Sequence, residues 1–257
     1  MKAGRAGIAF TLLLGALLVS GQSCATRVVE GELRYTETLQ RTIPFAGKTK
    51  LVIENPAGSV EIAGWGEPRV ELIATKRARS EGDLREIDIE IREEPDGVRI
   101  RSRHSEIVSK WLVDYELKVP YGVALEIDQG AGGVTLKGYA GSIAVDLGAG
   151  DLNLEEVRAP EISLDVGAGD VDAVVWESRR IEIDLGTGDL DLRLPPDASF
   201  AVEARVGVGD LTISGFETLS IQQEGLISQS AEGTLGAGEG ILRINVGVGD
   251  VDVKPWK

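Results

Sequence analysis

Aspartates return at one fixed place in the second half of the chain, each directly after a Gly-x-Gly triplet. They are Asp151, Asp170, Asp189, Asp210 and Asp250. Repeated Gly-Asp turns can bind Ca²⁺ in β-rolls through carboxylate and carbonyl oxygens, so these five are calcium candidates. Those rolls repeat about every nine residues, roughly half the spacing found here. We therefore favour the simpler interpretation, in which each carboxylate caps its own turn through backbone N–H groups and no metal or cofactor is bound.

Other residues that could support chemistry give weaker patterns. Phosphate-binding glycine loops need a helix directly after the loop, whereas each Gly-x-Gly here precedes an alternating, strand-like stretch. His104 is the only histidine and lies among polar residues, which favours a solvated side chain over a metal ligand or a catalytic base. Acidic residues are so frequent that no pair stands out as a glycosidase pair. No catalytic residue is assigned.

The four tryptophans are widely spaced along the chain: Trp65, Trp111, Trp176 and Trp256. A row of tryptophans on one face could stack on sugar rings. This spacing instead favours single side chains that cover the core at the edges of coils.

A ten-residue phrase that contains the aspartates occurs five times. The copies are VDLGAGDLNL at 145–154, LDVGAGDVDA at 164–173, IDLGTGDLDL at 183–192, ARVGVGDLTI at 204–213 and INVGVGDVDV at 244–253. Their first glycines are 19, 19, 21 and 40 residues apart, and the last step is close to two units with a degraded copy between them. A weaker copy, IDQGAGGVTL, precedes them at 127–136. This period predicts one small coil stacked on itself.

Each copy predicts a strand, a glycine corner and a second strand. Apolar residues alternate with polar ones, as in Ile143, Val145 and Leu147, and this period of two indicates half-buried strands. The corners need backbone angles with positive φ, which glycine adopts freely. The turn glycines are Gly148, Gly150, Gly167, Gly169, Gly186, Gly188, Gly207, Gly209, Gly247 and Gly249. The predicted fold is all-β: a β-solenoid, as a single-stranded parallel β-helix with coils of about 19 residues, an internal apolar column and external rows of Asp.

Charge is distributed unevenly over the 257 residues. The net charge is −15, and residues 128–257 contribute −14 of it, from 9 Lys and Arg against 23 Asp and Glu. An acidic solenoid repels nucleic acid and anionic lipid headgroups, which excludes both as partners of its surface.

The N-terminal residues have the pattern of an export signal. Lys2 and Arg5 precede an apolar run from Ile8 to Val19, which is shorter than a comfortable membrane span, and the only cysteine, Cys24, follows it. We predict a signal peptide at 1–23, a lipid anchor at Cys24 with a tether at 24–50, and one β-solenoid repeat domain at 51–257. Ordinary cleavage of the signal near Ala25 is the alternative. Within the domain, residues 87–104 predict a hairpin that turns at Pro95-Asp96-Gly97.

Several stretches resemble a known family. They are IENPAGSVEIAGWGEPRVELIATK at 53–76, YELKVPYGVALEI at 115–127 and the later strings of the form x-V-x-x-G-x-G-D-[LV]-x-[LV]. The chain resembles the bacterial putative-adhesin β-strand-repeat family, an envelope domain of unknown function. The resemblance implies a β-repeat fold and an exported protein, and it brings no catalytic residues.

The predicted function is that of a non-enzymatic, adhesin-like interaction module of the cell envelope. Its expected partner is an envelope or surface component, protein or glycan, and its expected membrane contact is the lipid anchor, facing the periplasm or the cell surface. One alternative is a β-helix polysaccharide lyase or hydrolase. Such enzymes need protruding loops and basic residues, and the longest departure from the repeat, residues 222–240, holds no basic residue. A structural envelope protein without a specific ligand is the other alternative.

Overall fold

The computed structural model describes residues 33–104, 110–216, 219–224 and 228–256. Within these ranges the chain forms 21 strands and one short helix. The strands are β1 (Tyr35–Pro44), β2 (Lys50–Ala57), β3 (Val60–Trp65), β4 (Arg69–Ala78), β5 (Ile87–Glu93), β6 (Gly97–His104), β7 (Trp111–Pro120), β8 (Ala124–Ala131), β9 (Val134–Lys137), β10 (Ile143–Ala149), β11 (Leu152–Arg158), β12 (Glu161–Ala168), β13 (Val171–Glu177), β14 (Arg180–Thr187), β15 (Leu190–Leu194), β16 (Phe200–Val208), β17 (Leu211–Ile213), β18 (Leu219–Glu224), β19 (Gln229–Leu235), β20 (Gly240–Val248) and β21 (Val251–Pro255). The helix is α1 (Glu81–Glu86), capped by the Ser80 side chain, which accepts a bond from the Asp83 N–H. The all-β prediction is confirmed.

The strands form two long, mostly parallel sheets. The first sheet has ten strands in the order β1-β4-β7-β3-β9-β11-β13-β15-β21-β17. The second sheet has eleven, in the order β18-β19-β16-β20-β14-β12-β10-β8-β2-β6-β5. Each copy of the repeat places its first strand in the second sheet and its second strand in the first sheet.

The regular middle of the chain has the register that the sequence predicts. Ile143 of β10 lies beside Ile162 of β12, and Ile162 lies beside Ile181 of β14, all in parallel strands. These alternating positions point inward and are at most 2% exposed. Burying an Ile or Leu side chain contributes about 1.5–3 kcal/mol, so stacking the coils stabilises strands that could bury little alone.

The order of the strands departs from a simple coil at the C-terminal end. Strand β20 lies between β14 and β16, and β21 lies between β15 and β17. The 40-residue step is therefore not two successive units. The chain instead passes over one position, forms β16 and β17, and returns to fill the gap. The described strands between them, β18 and β19, are antiparallel and cover β16.

The N-terminal end departs in a similar way. Strands β2 and β3 lie between the pair β6 and β7 and the pair β8 and β9, although β2 and β3 precede both pairs in the chain. Strands β4, β1 and β5 add antiparallel neighbours at this end. The single-stranded parallel β-helix predicted from the repeat is thus wrong for both ends, because their strands pair with chain segments outside the repeat.

Two local predictions fall in this N-terminal end. The hairpin at 87–104 is confirmed as β5 and β6, which pair antiparallel. Residues 35–44, assigned to the tether, form β1 and pair along their length with β4, so the sheet begins before residue 51. The predicted signal peptide and Cys24 lie outside the described residues. No helix in the described ranges is both long and apolar enough to cross a membrane.

Candidate functional site

The repeated aspartates form a hydrogen-bonded line along one corner of the coils. We call this line the corner row; in spatial order it contains Asp151, Asp170, Asp189, Asp250 and Asp210. In each step, Oδ1 of one aspartate accepts a bond from the backbone N–H of the next, at distances of 3.2, 3.0, 2.8 and 2.8 Å. The carboxylates therefore cap the neighbouring coil, and the prediction that each caps its own turn is corrected.

Other residues extend the corner row at both ends. Beyond Asp210, the Gln229 side chain donates to the Asp210 carboxylate at 3.1 Å and accepts from the Leu211 N–H at 2.9 Å. At the N-terminal end, Ser59 donates to Oδ1 of Asp114 from both its N–H and its hydroxyl, each at 2.9 Å. The repeat pattern did not reveal these residues because they lie outside the Gly-x-Gly phrase. One feature of the sequence could have identified Asp114 as a corner residue: it directly precedes an inward-facing strand residue, as Asp151 does.

The corner requires glycine for two different reasons. The second glycine of each triplet has positive φ, for example +140° at Gly188, and a Cβ there would lie 2.0 Å from the carbonyl oxygen of Gly169. The first glycine has no such φ, but a Cβ at Gly167 would lie 2.5 Å from the carbonyl oxygen of Gly148. The backbones of neighbouring coils thus pack directly on each other at the corner.

Each of the five calcium candidates already uses a carboxylate oxygen to accept a hydrogen bond, from a backbone N–H in four of them and from a side-chain amide at Asp210. In the parts of the chain that the structure describes, no three His, Cys, Asp or Glu side chains are grouped closely enough to hold a metal ion. The corner row is thus placed to stabilise the stacking of coils.

A second acidic line crosses the outer face of the second sheet. We call it the face row; in register it contains Glu54, Asp128, Asp146, Asp165 and Asp184. Its ends are compensated, since Arg101 lies 3.0 Å from Glu54 and the Asn245 side chain donates to Asp184 at 2.8 Å. The aspartates between these ends form no ion pair or hydrogen bond with the described residues.

The electrostatics of the face row are unfavourable. Partial desolvation, followed by the charges of Asp146 and Glu54, raises the pKa of Asp128, and the opposing effect of Arg101 does not cancel this. Two unit charges at the spacing of adjacent strands repel by about 1 kcal/mol in water. A partner that brought positive charge would remove this repulsion.

The face row is also easy to reach. Along the strand ends next to it runs a row of exposed side chains, the middle residues of the Gly-x-Gly triplets: Ala131, Ala149, Ala168, Thr187, Val248 and Val208. At one end Asp165, Asp184 and Arg205 border a shallow depression of about 420 Å³. The four aspartates of the face row are themselves exposed, so their carboxylates face solvent.

The outer face of the first sheet carries a third acidic line, with a different balance. We call Asp172, Asp191 and Asp252 the paired row. Lys254 lies 2.8 Å from Asp191 and 2.6 Å from Asp252, and Arg193 lies 3.0 Å from Asp191 and 3.5 Å from Asp172. Hydrogen bonds to Asp191 and Asp252 raise the pKa of Lys254 above its ordinary value. The repeat thus produces acidic rows on both sheets, and two cations form ion pairs with all three acids of this one.

A groove of about 420 Å³ lies on the same sheet near the N-terminus, between β1, β4, β7, β3 and β9. Its charged lining includes Glu61, Glu71, Glu116 and Lys118. Desolvation raises the pKa of Glu71, but bonds and charges from Lys118 and Arg69 outweigh it and leave that pKa below its ordinary value. Glu71 is therefore ionised at neutral pH and unsuited to act as a general acid.

The predicted aromatic and histidine positions are built into the edges of the coils. His104 is half-buried, and its ring stacks on that of Trp111 with the two centroids 5.6 Å apart. The expectation of a solvated side chain was therefore wrong. The stacked rings of Trp176 and Trp256 have centroids 5.7 Å apart, and the Arg158 guanidinium carbon lies 4.4 Å from the centroid of the Trp176 ring. These contacts tie Trp176 to the edge of the coils, although 37% of the residue remains exposed.

A buried polar cluster occupies the N-terminal coils, where the other coils have apolar residues. Ser102 donates to Asn55 at 2.9 Å and lies 2.7 Å from the Tyr115 hydroxyl, while Asn55 donates to the Val113 carbonyl at 3.0 Å. Desolvation raises the pKa of Tyr115 to about 12. The phenol therefore remains protonated at neutral pH, and the cluster is structural.

Comparisons with known proteins support the family and a β-repeat fold. The sequence of residues 35–254 matches the Toastrack DUF4097 family. A solved structure of a putative cell adhesion protein from Clostridium sporogenes is 16% identical, with 86% of this chain and 100% of that chain covered and a TM-score of 0.47. A putative adhesin from Bacteroides fragilis is 9% identical, with 84% and 97% covered and a TM-score of 0.30.

A third solved structure, a putative lipid binding protein from Parabacteroides distasonis, is 9% identical, with 86% and 97% covered and a TM-score of 0.29. The curated proteins contain no match to this sequence. All three TM-scores are below 0.5, so these three likenesses carry no information about the function of this chain.

Proposed function

We propose that this chain, which belongs to the Toastrack DUF4097 family of β-repeat proteins of unknown function, is a non-enzymatic interaction module of the cell envelope. The face row is its binding surface, and its partner is a protein segment rich in Lys or Arg. The single observation that carries this proposal is that Asp128, Asp146 and Asp165 lie in register without an ion pair to any described residue.

The paired row supports this assignment by contrast. On the first sheet, Arg193 and Lys254 form ion pairs with the three acids of the paired row. The middle of the face row receives no such cations from the described residues, although the same period could have placed them there. Complementary charge across an interface increases the rate of association and the specificity, and the gain is greatest where repulsion is relieved.

A hexalysine peptide tests the surface directly. Its affinity is measured by fluorescence anisotropy for the purified protein, for Asp146→Asn with Asp165→Asn, and for the control Asp172→Asn with Asp252→Asn. Each double variant removes two negative charges, so the net charge of the protein changes by the same amount in both. We expect about tenfold weaker binding for the face-row variant and less than about threefold for the control, with a strong dependence on salt. Equal weakening in both variants would mean that net charge alone attracts the peptide and would refute the face row as the site.

We further propose that the protein is exported and held at the membrane by acyl chains on Cys24. The cysteine is the only one in the chain and directly follows an apolar run, in a compartment where a single thiol has no structural partner. Each buried CH₂ of an acyl chain favours the bilayer by about 0.8 kcal/mol, so several chains would hold an acidic domain firmly.

Fractionation of a bacterial host tests the anchor. The wild type is expected in the membrane fraction with incorporated labelled palmitate, and Cys24→Ser is expected in the soluble fraction without label. If both proteins are soluble and unlabelled, the anchor is refuted and the alternative of ordinary signal cleavage is correct.

A further inference from the structure

Strand β1 is the edge strand at one end of the first sheet, as the described residues form it. On one side it pairs along its length with β4, from Tyr35 opposite Ala78 to Pro44 opposite Arg69. On its other side it pairs with no strand of the described residues. Natural sheets usually shorten, charge or cover such edges, because exposed N–H and C=O groups readily pair with another strand. An edge of ten residues therefore offers a long docking surface for a strand.

The opposite edge of the same sheet is protected. Strand β17 has only three residues, and the Gln229 side chain accepts a bond from the Leu211 N–H. The two edges of this sheet thus differ, since β1 is the longer strand and no side chain of the described residues accepts a bond from its backbone N–H groups.

The sequence of β1 is complementary to itself when it is read in the two opposite directions. Around Leu39, Glu37 and Arg41 are equidistant, and so are Tyr35 and Ile43. If two copies pair antiparallel with Leu39 opposite Leu39, Glu37 of each copy lies opposite Arg41 of the other. Opposite charges and apolar pairs directly across two strands are the combinations that stabilise a sheet.

No neighbouring register achieves this match. A shift by two residues places Glu37 opposite Leu39 or Ile43. A shift by one residue pairs side chains of opposite faces, which places the inward Ile43, only 5% exposed, opposite an outward residue. The charge pattern therefore selects one register and one two-fold symmetric arrangement.

The surroundings of these side chains leave them available. Arg41 donates to the carbonyl of Gln40 at 2.9 Å and forms no ion pair with a described carboxylate. Glu37 contacts Lys76 at 3.3 Å but remains 51% exposed. Tyr35 is 39% exposed and Leu39 is half-buried, so both would bury apolar surface against a second copy.

From this geometry we infer that two copies of this chain form a symmetric dimer through antiparallel pairing of their β1 strands, with Leu39 on the two-fold axis. The pairing joins two ten-stranded first sheets edge to edge. Each interface has two Glu37 to Arg41 pairs, since an isologous contact uses the same surface patch on both subunits. The inference uses neither the face row nor Cys24.

Charge reversal tests the register. Sedimentation velocity is measured on the full chain with Cys24→Ser in every sample, so that acyl chains cannot hold copies together. We expect the parent to dimerise, and both Glu37→Arg and Arg41→Glu to raise the dimer dissociation constant by about tenfold or more, because each creates two like-charge pairs. An equimolar mixture of the two variants is expected to form a heterodimer, within about threefold of the parent affinity, because every pair is again opposite in charge.

Thermal melts of each variant show whether it is folded before its association is interpreted. A parent that remains monomeric would overturn the proposal. So would a dimer that both charge reversals leave intact, or folded variants whose mixture fails to associate. Dimerisation of the parent and of the mixture, but not of either variant alone, would support the antiparallel β1 pairing, since residue 37 of one copy then faces an opposite charge at residue 41 of the other.

Discussion

The corner row and the face row contain the same type of side chain at the same spacing, one per coil, but their surroundings differ. In the corner row each carboxylate reaches a backbone N–H of the next coil, for example Asp170 to Asp189 at 3.0 Å. In the face row the strands already pair their N–H groups within the sheet, and Asp146 and Asp165 meet only other acids. A repeated aspartate is therefore structural where the backbone has a free donor and available for binding where it has none.

The paired row completes this comparison. It lies on a sheet face, as the face row does, but Lys254 and Arg193 form ion pairs with its acids. Two rows made by one repeat thus differ in the cations that the chain places beside them. The uncompensated charge of the face row is accordingly a property of specific positions and not a necessary result of the repeat.

The largest loss of stability is expected from a substitution of Ile183, one residue away from the face row. Ile183 points inward and is 1% exposed, whereas its neighbour Asp184 points outward. Ile183→Asp buries an unpaired carboxylate and is expected to cost about 3–5 kcal/mol or to prevent folding, because buried charge lacks compensation. Asp184→Asn is expected to change stability by less than about 0.5 kcal/mol. Urea denaturation measures both, and similar losses would refute the assignment of faces.

Next in size is the effect of filling the corner. Gly188→Ala introduces a Cβ at a position with φ of +140° and 2.0 Å from a carbonyl oxygen, so a loss of about 2 kcal/mol or more is expected. Thr187→Ala changes the exposed middle of the same triplet and serves as the control, with little expected effect. If Gly188→Ala denatures at the same urea concentration as Thr187→Ala, the coils do not pack as closely as described.

The comparison between the two rows is tested by removing one aspartate from each. Asp170→Ala in the corner row leaves the Asp189 N–H without its acceptor and is expected to cost about 1 kcal/mol. Asp165→Ala in the face row removes no bond and relieves repulsion, so its stability is expected to equal or slightly exceed that of the wild type. Equal losses in thermal and urea unfolding would show that the rows do not differ in this way.

The smallest expected effect is a change in how the stability depends on pH when Asp128 is replaced. Because the pKa of Asp128 is raised in the folded state, its contribution to stability is full below the unfolded pKa near 3.8 and is lost as the pH rises through the folded pKa. Asp128→Asn should therefore stabilise the protein at pH 7, by less than about 1 kcal/mol at this exposed site, and this gain should vanish in acid.

Substitution of Glu71 should give a change in stability with pH opposite to that of Asp128. Its pKa is lowered, so its contribution is present above the unfolded pKa of 4.5 and is lost as the pH falls through the folded pKa. Glu71→Gln should thus destabilise at pH 7 and not in acid. Matching pH profiles for the two variants would contradict the electrostatics described for both sites.

Much of the regular part could be predicted from the sequence. The alternation at Ile143, Val145 and Leu147 specifies which face is buried, and all three side chains are at most 3% exposed. The order of the coils could not be predicted, because copies of one repeat offer nearly identical edges. Nothing local shows that β14 pairs with β20 instead of with β16, the next repeat strand of this sheet along the chain.

The site was predictable only in part for a similar reason. The alternation placed Asp146 and Asp165 in an outer row, but the partner of a corner aspartate belongs to the next coil, so its bond depends on stacking. Asp114 and Ser59 occupy corner positions without the Gly-x-Gly phrase, and His104 stacks on Trp111, its partner across a stretch without repeats. These contacts depend on tertiary pairing that a period does not encode.

The most direct test of the difference between the rows is a titration of the ¹⁵N-labelled protein with hexalysine, monitored through the amide resonances in two-dimensional NMR. We expect shifts at and next to Asp128, Asp146 and Asp165, with the corner amides of Asp170 and Asp189 much less affected. Shifts of equal size along both rows, or shifts confined to the corner, would contradict the claim that the face row is the surface available to a cationic partner.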